Sequence, residues 1–291
     1  MSPTLDIVIV TYRSRDVLPE CLKSIANHRP RCATRVFVVD NASDDRTLEL
    51  VRNDFPDVET IAAPANLGFG RASNLGIRAG SADYVLAMNP DTRLHAGTLD
   101  HLLTVVEKLP NVGLASCRLE RADGTVDHAA ARSFPTVLGT LGHFTKLARR
   151  SKVPAGLAQY RALPAEPGPV DLVSGAFMLM RREAVEEVGL FDEGFWMYIE
   201  DIDLCYRLAE SGWQTWYDPA VSVTHMKGGS ATRARSRRVN WSFHYGMYRF
   251  YRKHYAKRHG KPTNALVYAG ISAKLILSLA RMEIRRVRRA N

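Results

Sequence analysis

Four sets of side chains in this 291-residue sequence have types and spacing suited to chemistry. Asp91 follows Asn89-Pro90 directly after the apolar run of residues 84–88. Proline cannot donate to a sheet ladder, so a strand ending there carries Asp91 just past its carboxyl end, the edge where open α/β sheets bind ligands. A carboxylate at that edge can hold a hard divalent cation whose other ligands are substrate phosphates and water. The same residues also read as a turn in which Asp91 or Thr92 caps a helix. Glu200 and Asp201 stand together where the aromatic run of residues 195–198 gives way to helical spacing. A helix N-terminus favours ionised carboxylates, so the pair reads either as the floor of a site or as a cap. His225 ends an apolar run before Gly228-Gly229. It suits a metal or phosphate contact, and equally a structural histidine. The fourth set is Thr11, Asp40 and Asn66, each at the end of a strand-like run.

The elements that must position these residues follow from apolar periodicity. Residues 5–10 predict a strand ending at Thr11-Tyr12-Arg13. Asp16 then starts a helix with Pro19 in its first turn and Val17, Leu18, Cys21, Leu22 and Ile25 on one face. Residues 35–39 form a second strand, and Ser43 caps a helix that buries Leu48 and Val51. A short strand at 58–62 leads to Asn66-Leu67-Gly68-Phe69-Gly70, and a helix from about Arg71 ends at Gly80. Strands alternating with helices at this spacing indicate βαβ crossovers and a parallel sheet. Thr11, Asp40, Asn66 and Asp91 would then line one edge, over a nucleotide-sized span.

Beyond the strand at 84–88 the pattern predicts a helix with Leu99, Leu102, Leu103 and Val106 inward, a strand at 112–116 and a turn at Asp123-Gly124. Residues 134–169, rich in Pro, Gly and basic side chains, read as an excursion over the site. Residues 170–181 are a strand broken at Ser174-Gly175, where a backbone can pass close to a ligand. A helix follows with Ile202, Cys205, Tyr206 and Ala209 inward. Short strands at 213–217 and 221–224 lead to His225.

At 46% hydrophobic residues the chain can bury a large core. Four cysteines without a C-x-x-C pair suggest structural thiols in a reducing compartment, and no signal peptide is legible at the N-terminus. The expected location is therefore cytoplasmic. The net charge of +10 is concentrated in the last third, which admits a nucleic-acid, anionic-membrane or phosphorylated partner, or a solvated face. Nothing in the chain has the form of a groove- or base-reading module, so no nucleic acid is expected.

Taken together, the pieces resemble a family 2 glycosyltransferase of the GT-A fold, and more narrowly the rhamnosyltransferase-like branch of bacterial polysaccharide and cell-wall assembly. The matching residues are Ile9-Val10-Thr11-Tyr12, Val39-Asp40-Asn41-Ala42-Ser43, Asn66-Leu67-Gly68-Phe69-Gly70 with Asn74-Leu75-Gly76, and Met88-Asn89-Pro90-Asp91-Thr92. They continue with Ser174-Gly175-Ala176-Phe177, Gly189-Leu190-Phe191-Asp192-Glu193, Glu200-Asp201-Ile202-Asp203-Leu204-Cys205-Tyr206-Arg207, and His225. The resemblance implies a Rossmann-like, mostly parallel central sheet flanked by helices, with a C-terminal helical extension. It divides the chain into a catalytic domain at 1–232 and a basic, aromatic-rich extension at 233–291. Thr11, Tyr12, Asp40 and Asn66 would hold base and ribose, with Gly68, Asn74 and Asn89 completing the nucleotide-sugar site. Asp91, with His225 as a late ligand, would bind Mg2+ or Mn2+ on the diphosphate. Asn89-Pro90-Asp91 departs from the commoner Asp-x-Asp by an amide in place of the first carboxylate, a form this branch often carries. Asp201 would be the base, Glu200 would orient acceptor or sugar hydroxyls, and Asp203 would brace the helix.

The resulting expectation is an inverting, metal-assisted transferase that moves a deoxysugar, L-rhamnose from dTDP-rhamnose, to a polyprenyl-diphosphate-linked glycan. The alternatives are a UDP-hexose or UDP-galactofuranose donor, or a nucleotide-sugar-binding scaffold without activity. In the extension, Trp241, Tyr245, Tyr248, Tyr251 and Tyr255 recur at helical spacing and are read as packing. Residues 264–284 are apolar but carry Lys274, with Arg281 near the end, a poor span and a better interfacial helix, followed by Arg285, Arg286, Arg288 and Arg289 near anionic headgroups. That would make the protein peripheral on the inner face of the cell membrane. The other reading is a helix packed back on the domain or forming a homo-oligomer contact.

Overall fold

The computed structural model of the chain describes residues 3–135, 163–226 and 236–290. Strands Thr4–Thr11 (β1), Ala33–Asp40 (β2), Glu59–Ala62 (β3) and Tyr84–Met88 (β4) form a parallel half-sheet in the order β3-β2-β1-β4. Both faces of β1, β2 and β4 are covered, which is why those strands read as apolar runs, while β3 at the edge is not buried. Leu5, Ile7 and Ile9 pack with helix Leu18–Asn27 (α1), while Val8 and Val10 share a cluster with Ala72 and Ile77 of helix Phe69–Ala79. Helices Thr47–Asp54 (α2) and Phe69–Ala79 (α3) complete the crossovers.

The next elements are Thr92–Leu94 (β5), helix Thr98–Lys108 (α4), Val112–Glu120 (β6), Ala131–Arg132 (β7), Gly168–Val170 (β8), Leu172–Val173 (β9) and Phe177–Arg181 (β10). Helices Arg182–Glu187 (α5) and Glu200–Glu210 (α6) and strand Gln214–His225 (β11) follow. The sheet runs on as β4-β10-β6-β11-β5, with β8 also on β11, and β7 pairs with β9 apart from it. The parallel arrangement therefore holds for the first four strands and for β6 with β11, while β10 is antiparallel to both β4 and β6. The chain enters β10 at the sheet edge where β4 ends, so it runs back along β4 without a crossover.

Several local expectations are corrected. The first helix starts at Leu18 rather than Asp16, after a turn in which Val17 N and Leu18 N donate to Ser14 O. Ser43 does not cap α2: its hydroxyl accepts from Arg13 N at 2.9 Å, and Asp45 Oδ1 accepts from Thr47 N at 3.1 Å. The two short strands expected at 213–217 and 221–224 are one strand, β11, with a register shift between Asp218 and Ser222. Ala209 is exposed, and Leu204 and Leu208 fill the inward face of α6 instead. Most of the excursion at 134–169, and the glycine turn at 228–230, lie outside the described residues.

After residue 236, helix Arg237–Phe250 (α7) runs into a π-helical turn at Tyr251–Tyr255 and a 3-10 turn at Ala256–Arg258. Helix Lys261–Ala290 (α8) returns antiparallel along α7. Tyr251 Oη donates to Asn264 at 2.7 Å, Ser278 Oγ to Asn240 at 2.9 Å, and Arg237 pairs with Glu283 at 2.6 Å. The aromatic stripe divides: Tyr251 is buried and Tyr255 half-buried, whereas Trp241 and Tyr245 stack on each other 52% and 37% exposed.

The junction between this hairpin and α6 is ionic. Asp203, fully buried, accepts from Arg207, Lys253 and His254 at 2.7–2.8 Å. Burial alone would raise this carboxyl, but the His254 hydrogen bond and the charges of Arg207 and Lys253 prevail and hold it at about 2. A folded-state value below the unfolded one stabilises the fold above the unfolded pKa, near 3.9, and that stabilisation is lost as pH falls towards the folded value. Asp203→Asn is expected to cost about 2 kcal/mol or more at neutral pH. Its deficit in thermal unfolding against the wild type should shrink between about pH 4 and pH 2. A deficit independent of acid pH would remove the ionic account.

Candidate active site

The site is assembled by two strand registers. Phe177 of β10 lies opposite Met88 of β4, which sets the Ser174–Ala176 segment beside Asn89, and Asn89 N donates to Ala176 O at 3.0 Å. His225 of β11 lies opposite Thr92 of β5, and Met226 N donates to Asp91 O at 2.9 Å. These registers bring together side chains 136 and 134 positions apart: His225 Nε2 is 3.4 Å from Asn89 Nδ2 and 3.2 Å from Asp91 Oδ1. Asp91 and His225 are 6% and 8% exposed.

This pair fits a divalent cation. Two adjacent ligands of an octahedral ion with bonds of about 2.1 Å stand roughly 3 Å apart, and Mg2+ is ordinarily held by one or two carboxylates plus substrate phosphates. Among the described residues no group of three or more His, Cys, Asp or Glu side chains forms a metal cage, so such an ion would depend on the substrate for its remaining ligands.

Glu200 and Asp201 open α6. Tyr198 and Ile199, the two residues before them, have φ of 67° and 74°, a left-handed conformation that non-glycine residues adopt at a cost of about 1–3 kcal/mol each and that clusters at functional sites. Asp201 Oδ2 accepts from Gly175 N at 3.1 Å and lies 3.7 Å from Arg132 Nη2. One segment therefore reaches both centres: Gly175 holds Asp201, and the next residue, Ala176, holds Asn89. Burial, then the charge of Asp201, pushes the Glu200 carboxyl up to about 8.

At the ends of β1 and β2, Thr11 and Asp40 are buried, and Asp40 Oδ2 accepts from Ser43 N at 3.0 Å. Tyr12, half-buried, follows with Arg13 stacked over its ring. Asn66 Oδ1 accepts from Asn41 Nδ2 at 3.3 Å and from Gly68 N at 3.2 Å. Thr11 Oγ1, Asp40 Oδ1, Glu200 Oε2 and His225 Nδ1 are buried without a hydrogen-bond partner. Buried polar atoms are nearly always paired, so orphans gathered in the expected site are what a polar ligand would complete.

Two expected nucleotide contacts have other duties. Asn74 is buried on α3, with its amide donating to Phe191 O at 2.9 Å and accepting from Phe191 N at 3.1 Å, so it ties α3 to the loop before α6. Gly68 has φ of 86°, and a Cβ there would sit 1.8 Å from Trp196 O. Its requirement is close backbone approach, which seats the Asn66 loop on the same loop that delivers Glu200. Sequence reasoning singled out neither Asn41, whose Oδ1 holds Leu67 N at 2.7 Å, nor Arg132. Asn41 stood within a quoted motif; an arginine beside Asp201 left no signal in so basic a chain.

Residues 6–189 match the family described as Glycosyl transferase family 2. The chain belongs to that family. It is 35% identical over 251 residues to the N-acetylglucosaminyl-diphospho-decaprenol L-rhamnosyltransferase of Mycobacterium tuberculosis, covering 80% of this chain and 79% of the relative. Among solved structures it is similar to GalNAc-T7 with UDP, GalNAc and Mn2+, at a TM-score of 0.63 and 14% identity, over 86% of this chain and 48% of that one. It is similar also to the mannosyltransferase PcManGT from Pyrobaculum calidifontis in complex with GDP-Man and Mn2+, at a TM-score of 0.59 and 19% identity, over 99% of this chain and 81% of that one. These likenesses establish the GT-A fold, with its central sheet flanked by helices and a C-terminal helix, in this glycosyltransferase.

The buried Glu200 generates a stability signature. Its folded-state value lies above that of the unfolded chain, so the neutral carboxyl fits the fold and stability falls as pH rises from the unfolded value through the folded one. Glu200→Gln, neutral at every pH, should melt close to the wild type near pH 4 and increasingly above it as pH approaches 8. Parallel melting curves across that range would refute a proton on Glu200.

Proposed function

We propose that this glycosyltransferase is an inverting enzyme that moves L-rhamnose from dTDP-rhamnose to a hydroxyl of a polyprenyl-diphosphate-linked glycan, in cell-wall or polysaccharide synthesis. The observation that carries the reading is the Gly175-Ala176 segment, which ties the candidate base Asp201 and the Asn89–Asp91–His225 cluster into one edge of the sheet. The sugar and the lipid-linked acceptor are suggested by the activity for which the 35% identical relative is named.

In this reaction the acceptor oxygen bonds to the anomeric carbon as the bond from that carbon to the diphosphate oxygen breaks. The nucleoside diphosphate leaves with the electron pair, and the hydroxyl proton passes to Asp201. A single displacement without a covalent intermediate inverts the anomeric carbon. Glu200 orients a hydroxyl of acceptor or sugar, while Thr11, Tyr12, Asp40, Asn66 and Asn89 contact the nucleotide-sugar. A divalent cation, Mg2+ or Mn2+, on Asp91 and His225 would stabilise the charge gathering on the departing diphosphate.

The reading places the enzyme in the cytoplasm, peripheral on the inner face of the cell membrane. Residues 261–284 form a helix long and apolar enough to cross a membrane by length and composition. Its packing favours an interfacial position instead. One face lies along α7, and Lys274 sits 5.6 Å from the Phe243 ring of that helix. Leu266, Ile276, Leu277 and Ile284 are exposed, with the exposed Arg281 and Arg286 towards the C-terminal end. An apolar surface flanked by arginines suits anionic headgroups, each basic residue contributing about 1 kcal/mol.

Two measurements test the proposal. The purified protein, given dTDP-, UDP- and GDP-sugars with Mg2+ or Mn2+, should release nucleoside diphosphate from dTDP-rhamnose, stimulated by a synthetic N-acetylglucosaminyl-diphospho-polyprenol and abolished by chelator. Preference for a UDP-hexose or UDP-galactofuranose would overturn the donor, and binding without release would leave a scaffold. In flotation with anionic liposomes, protein truncated after Lys261 should lose most of its binding; undiminished binding would rule out α8 as the anchor.

A further inference from the structure

The C-terminal hairpin carries an aromatic flank that its own packing does not bury. Arg237, Trp241, Tyr245 and Tyr248 recur at helical spacing along one side of α7. The matching side of α8 holds Glu283, Ile276 and Ala269, spaced two turns apart. Contacts join the two sides at either end: Arg237 pairs with Glu283 at 2.6 Å, and the Tyr248 ring lies 5.1 Å from that of Tyr268, the neighbour of Ala269. Between those ends Trp241 and Tyr245 stack with their rings 8° from parallel and their centres 4.9 Å apart. They are 52% and 37% exposed, on the same flank as Ile276 at 66%.

This flank begins at the candidate site. Arg238, one turn before Trp241, lies 4.1 Å from the centre of the Trp196 ring, a cation–π distance. Trp196 Nε1 in turn donates to Asn66 O at 3.2 Å, on the loop assigned to the nucleotide-sugar. The chemistry of the surface selects its occupant. Tryptophan and tyrosine join a large apolar ring to a polar edge and concentrate where a bilayer meets water. Positions 236–291 hold fourteen arginines and lysines against one acidic residue, Glu283, itself paired with Arg237. A two-fold contact between copies would set that positive excess against itself, whereas a layer of anionic headgroups neutralises it.

We propose that Trp241 and Tyr245, with the adjoining exposed side of α8, dock on the lipid–water interface of an anionic membrane, so that the site is entered from headgroup level past Trp196 and Arg238. The proposal rests on the reading of α8 as an interfacial helix and adds to it. Helix α8 supplies one line of contact, the Trp241 flank of α7 supplies a second, and two lines hold one face of the domain to the surface.

The test uses the full chain and vesicles of phosphatidylglycerol and phosphatidylcholine. Of the four tryptophans Trp241 alone is more than half exposed, so it dominates any change in emission on binding. Its emission should shift to the blue on vesicle addition, and lipids brominated along the acyl chain should quench it. Trp241→Phe should remove most of the shift and the quenching. A double variant, Trp241→Ala with Tyr245→Ala, should bind the vesicles about 10-fold more weakly, the loss of two partly buried rings from an apolar contact. Its circular dichroism should match the wild type, which separates lost docking from lost fold. Vesicle binding with unchanged emission and no quenching overturns the proposal, because the flank then faces water. Emission that is already blue without lipid and moves to the red on dilution also overturns it, placing a second copy on the flank. Failure of the underlying reading is separately visible and overturns both: the full chain would then not float with the vesicles at all.

Discussion

The geometry of the candidate site depends on the backbone of two consecutive residues. Gly175 N donates to Asp201, and the carbonyl of Ala176 accepts from Asn89 N. The first bond fixes a carboxylate on a helix N-terminus; the second fixes the turn from which Asp91 projects. Both come from the entrance of β10, whose antiparallel register on β4 pins it residue by residue from Phe177 onward. Slipping that register by one residue would exchange the faces of β10, driving Phe177 and Leu179 out of one cluster and Met178 and Met180 out of the other. The core thus fixes the site, because both clusters are close-packed and exchanging Phe177 and Leu179 for Met178 and Met180 would misfit each of them.

This explains which parts were legible in the sequence. The first strands and helices were readable because apolar runs and helical periodicity are local properties, and Thr11, Asp40 and Asp91 fell at strand ends by counting. His225 beside Asp91 was not local: it follows from β11 pairing with β5, and no periodicity announces a partner more than a hundred residues away. The family resemblance supplied that neighbour where the residues alone left it open. The mixed second half of the sheet was missed for a related reason. A strand that runs back along its neighbour has the same apolar run as one that crosses over, and only the direction of entry differs.

The structural duties of Asn74 and Gly68 share a cause too. Asn74 and Gly68 sit in the motif that follows β3, where nucleotide contact was the natural inference. Asn74 spends its amide on Phe191, and Gly68 gives way to the Trp196 carbonyl. Both therefore bind the loop that ends in the strained Tyr198-Ile199 pair. A motif can be required without touching a ligand, when two loops that each carry site residues must meet backbone to backbone. Asn41 does the same from β2, holding Leu67 N and the Gly68 carbonyl.

The C-terminal hairpin extends this logic. Asp192, just before the strained turn, is held by Arg249 and Lys253, and Lys253 also reaches Asp203 inside α6. Gly246 of α7 lets the helix pass Ile199, whose side chain would lie 3.0 Å from a Cβ at that position. Helix α7 thus presses on the loop and helix that carry Glu200 and Asp201. Helix α8 in turn lies along α7 through Tyr268, Asn264 and Ser278. Its opposite side keeps Leu266, Leu277 and Ile284 in solvent. That side belongs to a chain of packed elements that ends at the candidate base. The exposed side of α8 and the loop and helix of the site are therefore joined by packing through α7 and by the ion pairs of Arg249 and Lys253.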